Sequence, residues 1–286
     1  VILDNGSVSC WGKNTNGQLG DGTTTDRNIP TQTASLGTER TAVAISAGYY
    51  HTCAILDDGS VSCWGLNGYG QLGDGTTTNR DIPTQTSNLG TYRTAVSIAT
   101  GDQHTCTILD DGSVSCWGRN HVGQLGDGTT TDRHTPTQIS SLGTDRTAVA
   151  ISTEFYSTCA ILDDGYVSCW GWNLRGQLGD GTTTDRNTPT QTSSLGTGRT
   201  AVAITIFYAQ VGQSSQTACV AGTYQPDTGQ TSCDDAAVGY YVDSTASTTQ
   251  TECAAGTYQP DTGQTSCEDA AAGYYVDSTA STTQTA

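Results

Sequence analysis

The sequence contains no methionine and only two phenylalanines, and 34% of its 286 residues are hydrophobic, too little apolar matter for one large core. No run approaches the roughly 20 apolar residues of a membrane-spanning helix, and no basic-then-apolar signal opens the chain. Basic residues are also scarce: 11 Lys and Arg stand against 28 Asp and Glu, a formal charge of −17. Such a chain repels phosphate backbones and anionic membrane surfaces, so neither nucleic acid nor direct membrane insertion is expected of this segment. Zinc knuckles are missing too, because every cysteine stands ten or more residues from its nearest neighbour.

What is present is glycine (35 residues), threonine, serine and 11 cysteines. Glycine with β-branched residues suits short strands joined by many turns and disfavours helix. Regularly spaced cysteines in an apolar-poor chain point to an oxidising compartment, extracellular or at the cell surface, where disulfides replace part of the missing core.

The string Cys-Trp-Gly recurs at 10–12, 63–65, 116–118 and 169–171, a constant step of 53 residues. Four prolines (Pro30, Pro83, Pro136, Pro189) and eight arginines (Arg27, Arg80, Arg133, Arg186 and Arg40, Arg93, Arg146, Arg199) keep the same register, which assigns them a structural task in each unit. The segments TAVAISA, HTCAIL and SVSCWG read as strands between Gly, Asp, Asn and Pro clusters. A unit this small cannot bury its own apolar face, so the units must stack as propeller blades or as a solenoid.

From residue 219 a second period of 34 begins, CVAGTYQPDTGQTSCDDAAVGYYVDSTASTTQTE followed by a near-copy. Three regions follow: a repeat domain at 1–206, a linker at 207–218 and cysteine-rich repeats at 219–286.

The motif GxVxxWGxNxxGQLGDG, then a proline, then HTCAILDDG resembles the regulator-of-chromosome-condensation repeat over residues 1 to 206. That resemblance implies a β-propeller, commonly seven-bladed, of which four repeats form part, and it implies guanine-nucleotide exchange as one remote function. The cysteine pairs and the acidic balance depart from the nuclear members. The 34-residue periods resemble ephrin-receptor and tumour-necrosis-factor-receptor cysteine-rich repeats in degenerate form, with Ala236 and Ala270 where a second cysteine would stand. The expected fold class is therefore all-β, propeller blades plus a small disulfide-rich extended stalk.

Centring the hairpin HTCAIL-DDG-SVSCWG on Asp58, with Gly59 left-handed in a glycine bulge, sets Ile55 opposite Val61 and Cys53 opposite Cys63. Opposed Cβ atoms lie near disulfide reach, so Cys53–Cys63, Cys106–Cys116 and Cys159–Cys169 are expected as cross-strand bonds. The receptor-type resemblance of the second period implies that Cys219 pairs with Cys233 and Cys253 with Cys267. Val1 aligns with Ala54, so the partner of Cys10 would precede Val1 and Cys10 is expected to be unpaired.

Run outward, the same register sets Tyr49 opposite Asn67 and Ala47 opposite Tyr69, and the copies differ most in these segments. One reads KNTN, LNGY, RNHV and WNLR; the other reads AGYY, TGDQ and TEFY. Aromatic and basic residues at one edge of a constant scaffold describe a contact surface. The expected rim comprises Lys13, Asn16, Tyr49, Tyr50, Leu66, Tyr69, Asp102, Gln103, Arg119, His121, Phe155, Tyr156, Trp172 and Arg175.

Other chemistry is thinner. The Asp-Asp-Gly turns at 57–59, 110–112 and 163–165 cap backbone amides rather than pairing a raised with a normal carboxylate, so no catalytic residue is assigned and no enzyme is expected. Asp21, Asp74, Asp127 and Asp180 in the GDGTTTD loops suit Asx turns, with calcium the alternative. His51 and His104 share a slot that Ser157 fills in another copy, which argues against a common ligand or base; His121 and His134 read as single loop residues. Trp11, Trp64, Trp117 and Trp170 read as blade core, and Asn5-Gly6-Ser7 fits an exposed N-glycosylation acceptor. The expected function is recognition of a protein or glycan, with a self-associating structural surface fibre as the alternative.

Overall fold

The computed structural model describes residues 1–206, 219–226 and 233–286, and the chain divides into two units, Val1–Tyr208 and Ala209–Ala286. The expected linker at 207–218 lies outside the described residues. Among the described residues there is no helix, hence none long and apolar enough to cross a membrane.

The first unit is a series of antiparallel sheets. Strands β1 (Ser9–Gly12) and β2 (Arg27–Gln32) form a two-stranded sheet. Three four-stranded blades follow, each in sequential order. They are β3 (Ala42–Ala47), β4 (His51–Leu56), β5 (Val61–Gly65) and β6 (Arg80–Gln85); β7 (Ala95–Thr100), β8 (His104–Leu109), β9 (Val114–Gly118) and β10 (Arg133–Gln138); and β11 (Ala148–Glu154), β12 (Ser157–Leu162), β13 (Val167–Gly171) and β14 (Arg186–Gln191). The first strands of successive blades adjoin one another, and Ser46 and Thr100 join their hydroxyls at 2.8 Å.

The middle strands carry the core. Every residue of β4, β5, β8, β9, β12 and β13 is buried, without the in-out alternation of a one-sided sheet. Blades packed on both faces produce this pattern. Trp64, Trp117 and Trp170 are fully buried, each against the Gln-Leu-Gly stretch of the preceding unit. Gly20 has φ +71°, and a Cβ there would lie 2.8 Å from the Trp64 ring, so glycine is required by conformation and by space together.

The hairpin register follows expectation: Cys53 opposes Cys63, Ile55 opposes Val61, and Gly59 is left-handed at φ +76°. The Cys53–Cys63, Cys106–Cys116 and Cys159–Cys169 bonds cross adjacent strands. In the chain-entropy picture each contributes roughly 2–3 kcal/mol. Cys10 is free and half-buried, and burial pushes its thiol pKa up.

The strand Arg80–Gln85 and its counterparts, absent from the sequence reading, form the fourth strand of each blade. Pro83 sits where the β5–β6 pairing is irregular, between the Cys63–Thr84 and Gly65–Arg80 pairs, so its missing N–H breaks no regular ladder. His134, expected in a loop, lies in β10. Val1–Leu3 pairs with Ser7–Ser9 in its own hairpin, and Asn5 at that turn is exposed, accepting the Ser7 hydroxyl at 2.7 Å.

In the second unit, two-residue ladders repeat: β15 (Thr223–Tyr224) with β16 (Asp234–Asp235), β17 (Tyr240–Tyr241) with β18 (Thr251–Glu252), and β19 (Thr257–Tyr258) with β20 (Glu268–Asp269). Cys219–Cys233 and Cys253–Cys267 are bonded as expected. Ala236 is fully buried and hydrogen-bonds through both backbone groups, to the Gly222 carbonyl and from the Gly263 amide.

Candidate functional site

The two variable segments do not continue the disulfide hairpin as the register argument held. Pairing ends at His51–Gly65, with one more bond from the Leu66 amide to the Tyr50 carbonyl at 2.9 Å. Gly65, at φ +110°, turns the chain, and Asn67 is driven into the interior instead of facing Tyr49. Ala47 ends β3 opposite Thr52, and residues 48–50 are the β3–β4 turn, so Ala47 is no partner of Tyr69.

Asn67 explains how a variable loop stays anchored. Its amide donates to Asp74 Oδ1 at 3.1 Å and the Thr76 carbonyl at 3.1 Å, while its Oδ1 accepts the Leu72 amide at 2.9 Å. Asn14, Asn120 and Asn173 repeat this pattern and are likewise fully buried. Their signal was the one constant letter inside the four variable segments. Asp74 closes an Asx turn on the Thr76 amide and pairs through Oδ2 with Arg80 at 2.7 Å; burial opposes ionisation, but these hydrogen bonds prevail and hold its pKa low. Asp21, Asp127 and Asp180 are held the same way by Arg27, Arg133 and Arg186.

At the opposite end of the blade, Arg40 reaches Asp58 at 2.6 Å and Asp57 at 3.6 Å across the Asp-Asp-Gly turn. Arg93 and Arg146 repeat that contact. The Ser60 hydroxyl, hydrogen-bonded to Asp58, lowers the carboxyl pKa. Seven of the eight registered arginines, Arg199 being the other, are thereby structural.

On the variable edge, three blades converge on Arg119. Its Nη1 donates to Gln103 Oε1 at 2.7 Å and to the Tyr156 hydroxyl at 3.2 Å. The guanidinium stacks over Tyr69 at 4.6 Å and Tyr156 at 5.3 Å from the ring centres. Around it, His121 meets Tyr156 edge-on at 4.7 Å, and Phe155 lies 4.2 Å from Tyr156 and 5.8 Å from Trp172. The Tyr156 hydroxyl bonds to Asp102, and burial together with that carboxylate pushes its pKa up to about 12.

Beside this cluster a cleft of about 240 Å³ is lined by Ala47, Gly48, Tyr49, Asp102, Glu154 and Phe155, among others. Burial raises the pKa of Asp102, and burial with the Asp102 charge raises that of Glu154, a residue the sequence reading did not single out. Tyr49 and Tyr50 stack edge-on at 4.5 Å, with the Lys13 ammonium 5.9 Å from the Tyr50 ring. Asn16 and Arg175 instead use their backbone amides to close their own turns on Gln18 and Gln177. Leu66 contributes its amide to Tyr50 and is half-buried.

His51 and His104 are not at this edge. Each is fully buried, and Thr105 and Thr158 receive their Nε2 at 2.8 and 3.0 Å. Since the Thr105 hydroxyl donates its single hydrogen to the Gln71 carbonyl, His51 is the donor and therefore carries its proton on Nε2. Burial depresses both imidazoles to a pKa of about 3. They tie one blade to the next and offer no ligand or base to solvent.

Residues 1–217 match the family model described as the RCC1-like domain. The ultraviolet-B receptor UVR8 of Arabidopsis thaliana is 34% identical over 191 residues, covering 67% of this chain and 43% of that protein. The human E3 ubiquitin-protein ligase HERC2 is 31% identical over 191 residues, which are 66% of this chain but 4% of HERC2. The chain thus spans less than half the length of these relatives. Among solved structures, human WBSCR16 aligns with a TM-score of 0.59 at 23% identity, over 68% of this chain and 50% of that one. Yeast RCC1 (Prp20), bound to Kap60, aligns at 0.58 and 20% identity over 67% and 46%, a likeness of fold. Stacked four-stranded blades, the Trp-on-Gly junctions and these matches place the chain in the RCC1-like domain family.

Proposed function

We propose that this propeller binds a partner protein through the edge centred on Arg119, in an oxidising setting outside the cell or at its surface. The observation that carries the reading is Arg119 itself, a cation fixed between two tyrosine faces and two side-chain acceptors drawn from three blades. Arginine and tyrosine held rigid before contact lose little entropy on binding, which is how a few residues dominate an interface. The disulfides support the compartment, because thiols across hairpins persist as bonds where the surroundings oxidise. The solved relatives support a protein rather than a nucleotide as ligand class, since yeast RCC1 was captured with Kap60.

The test presents the immobilised chain with an array of extracellular proteins and an array of glycans. A protein retained by the native chain should be lost with Arg119→Ala and with the Leu66–Tyr69 loop copied into the other three repeats, while both variants still unfold cooperatively and close to the native temperature. Retention indifferent to both changes removes the edge from the function, and retention on glycans alone makes the ligand a carbohydrate.

A further inference from the structure

The constant end of the blades breaks its own rule once. The residue after each turn glycine is serine in three repeats, Ser7, Ser60 and Ser113, and Tyr166 in the fourth. Each serine hydroxyl donates to the side-chain oxygen of its turn, Ser7 to Asn5 at 2.7 Å, Ser60 to Asp58 at 2.7 Å and Ser113 to Asp111 at 2.6 Å. Tyr166 keeps the backbone half of that cap, its amide donating to Asp164 Oδ1 at 3.1 Å, but brings no hydroxyl to the carboxylate. A carboxylate oxygen accepts more than one donor, so Asp164 Oδ1 retains an accepting position that a hydroxyl fills in every other repeat. Arg146 is turned as well: it meets Asp164 through Nε at 2.9 Å, whereas Arg40 and Arg93 meet Asp58 and Asp111 through Nη2 at 2.6 Å.

Beside these groups lies a cavity of about 580 Å³, lined by Leu142, Arg146, Asp164, Tyr166, Ser168 and Gln191 among others. The same positions two repeats earlier, with Ser60 in place of the tyrosine, line a cavity of about 330 Å³. The fourth repeat therefore gives up an internal hydrogen bond and sets an exposed aromatic ring on the wall of a wider, mostly polar cavity. A stabilising contact given up in one copy of a constant scaffold is expected where a site has been built.

We propose that the Tyr166 cavity binds a neutral saccharide, one sugar hydroxyl donating to Asp164 Oδ1 and the C–H face of the sugar stacked on the Tyr166 ring. The chain's own repeats define what fits that oxygen, since a hydroxyl occupies it in the others. A hydroxyl carried beside an aliphatic face is the chemistry of a pyranose, and Ser168 and Gln191, paired across β13 and β14, offer it further donors and acceptors. Arg146 is already matched by Asp164 and by Asp163 at 3.6 Å, which leaves no spare cation for an acidic sugar. The site lies at the opposite end of the blade from Arg119 and does not depend on that edge.

An array of immobilised neutral hexose and N-acetylhexosamine oligosaccharides, beside sialylated and sulfated glycans and unrelated peptides, tests this with the whole chain. Neutral saccharides should be retained. Tyr166→Ser restores the residue of the other three repeats and with it their cap, so the fold is kept. Retention should then fall about tenfold, the measure of a lost stacking platform. Tyr166→Phe keeps the ring and should keep the binding, as should Arg119→Ala, which separates this site from the partner-binding edge. The proposal is overturned by an array that holds back no neutral saccharide, by retention that Tyr166→Ser leaves unchanged or Arg119→Ala abolishes, or by retention confined to charged glycans or peptides.

Discussion

The two ends of each blade obey different rules. At the Asp-Asp-Gly end, Arg40, Arg93 and Arg146 make the same ion pairs at the three Asp-Asp-Gly turns. At the other end, one buried asparagine per repeat is constant and its neighbours change, gathering Arg119, Tyr69, Tyr156 and Asp102 into a single network. Sameness marks what every blade needs, and variation around a fixed anchor marks what the assembled blades present together. A loop can vary only if something beneath it does not.

The largest effect should come from the anchor. Asn120→Ala strips hydrogen bonds from Asp127, the Thr129 and Thr131 carbonyls and the Leu125 amide. Leaving buried groups unpaired should cost about 3 kcal/mol or more in urea unfolding; a loss below about 1 kcal/mol would mean the loop holds itself.

Next comes acid. The folded imidazoles of His51 and His104 lie near pKa 3, far below the free value of 6.5, so the unfolded chain takes up protons first. Stability is full above about pH 6.5 and drains as pH falls toward 3, by up to ~1.4 kcal/mol per pH unit for each histidine. His104→Ser, which copies Ser157, should remove one histidine's share of that slope when urea midpoints are followed through this window.

The smallest effects compare the two ends directly. Arg93→Ala breaks a half-exposed pair with Asp111 at 2.6 Å, and Arg119→Ala removes the stacked cation. Both should lower stability by less than ~1 kcal/mol. Only the second should abolish partner retention; equal binding by the two variants would erase the distinction between the ends.

The hairpin register, the three hairpin disulfides and the unpaired Cys10 were legible because alternation and spacing are local properties of the chain, while the two disulfides of the second unit followed from its resemblance to receptor-type repeats. The fourth strand was not, since proline in Arg80–Gln85 reads as a break until the irregular β5–β6 pairing shows that its N–H is not needed. Extending the register past Gly65 failed for a related reason: a left-handed glycine ends the ladder, and Asn67 then turns inward. Trp11, in perfect register with three core tryptophans, is half-exposed because burial depends on a neighbouring repeat's loop and not on the residue.

The sequence by itself determined the repeat, its strands near the cysteines, the pairing of the thiols and the edge where variation collects. All of these follow from periodicity and from steric rules acting over a few residues. Tertiary structure alone decided which variable residues meet, joining Arg119 to side chains of both neighbouring blades, and which loop buries each of Trp64, Trp117 and Trp170. Both depend on contacts between repeats about 53 residues apart, where distance in space is set by stacking and leaves no trace in local pattern.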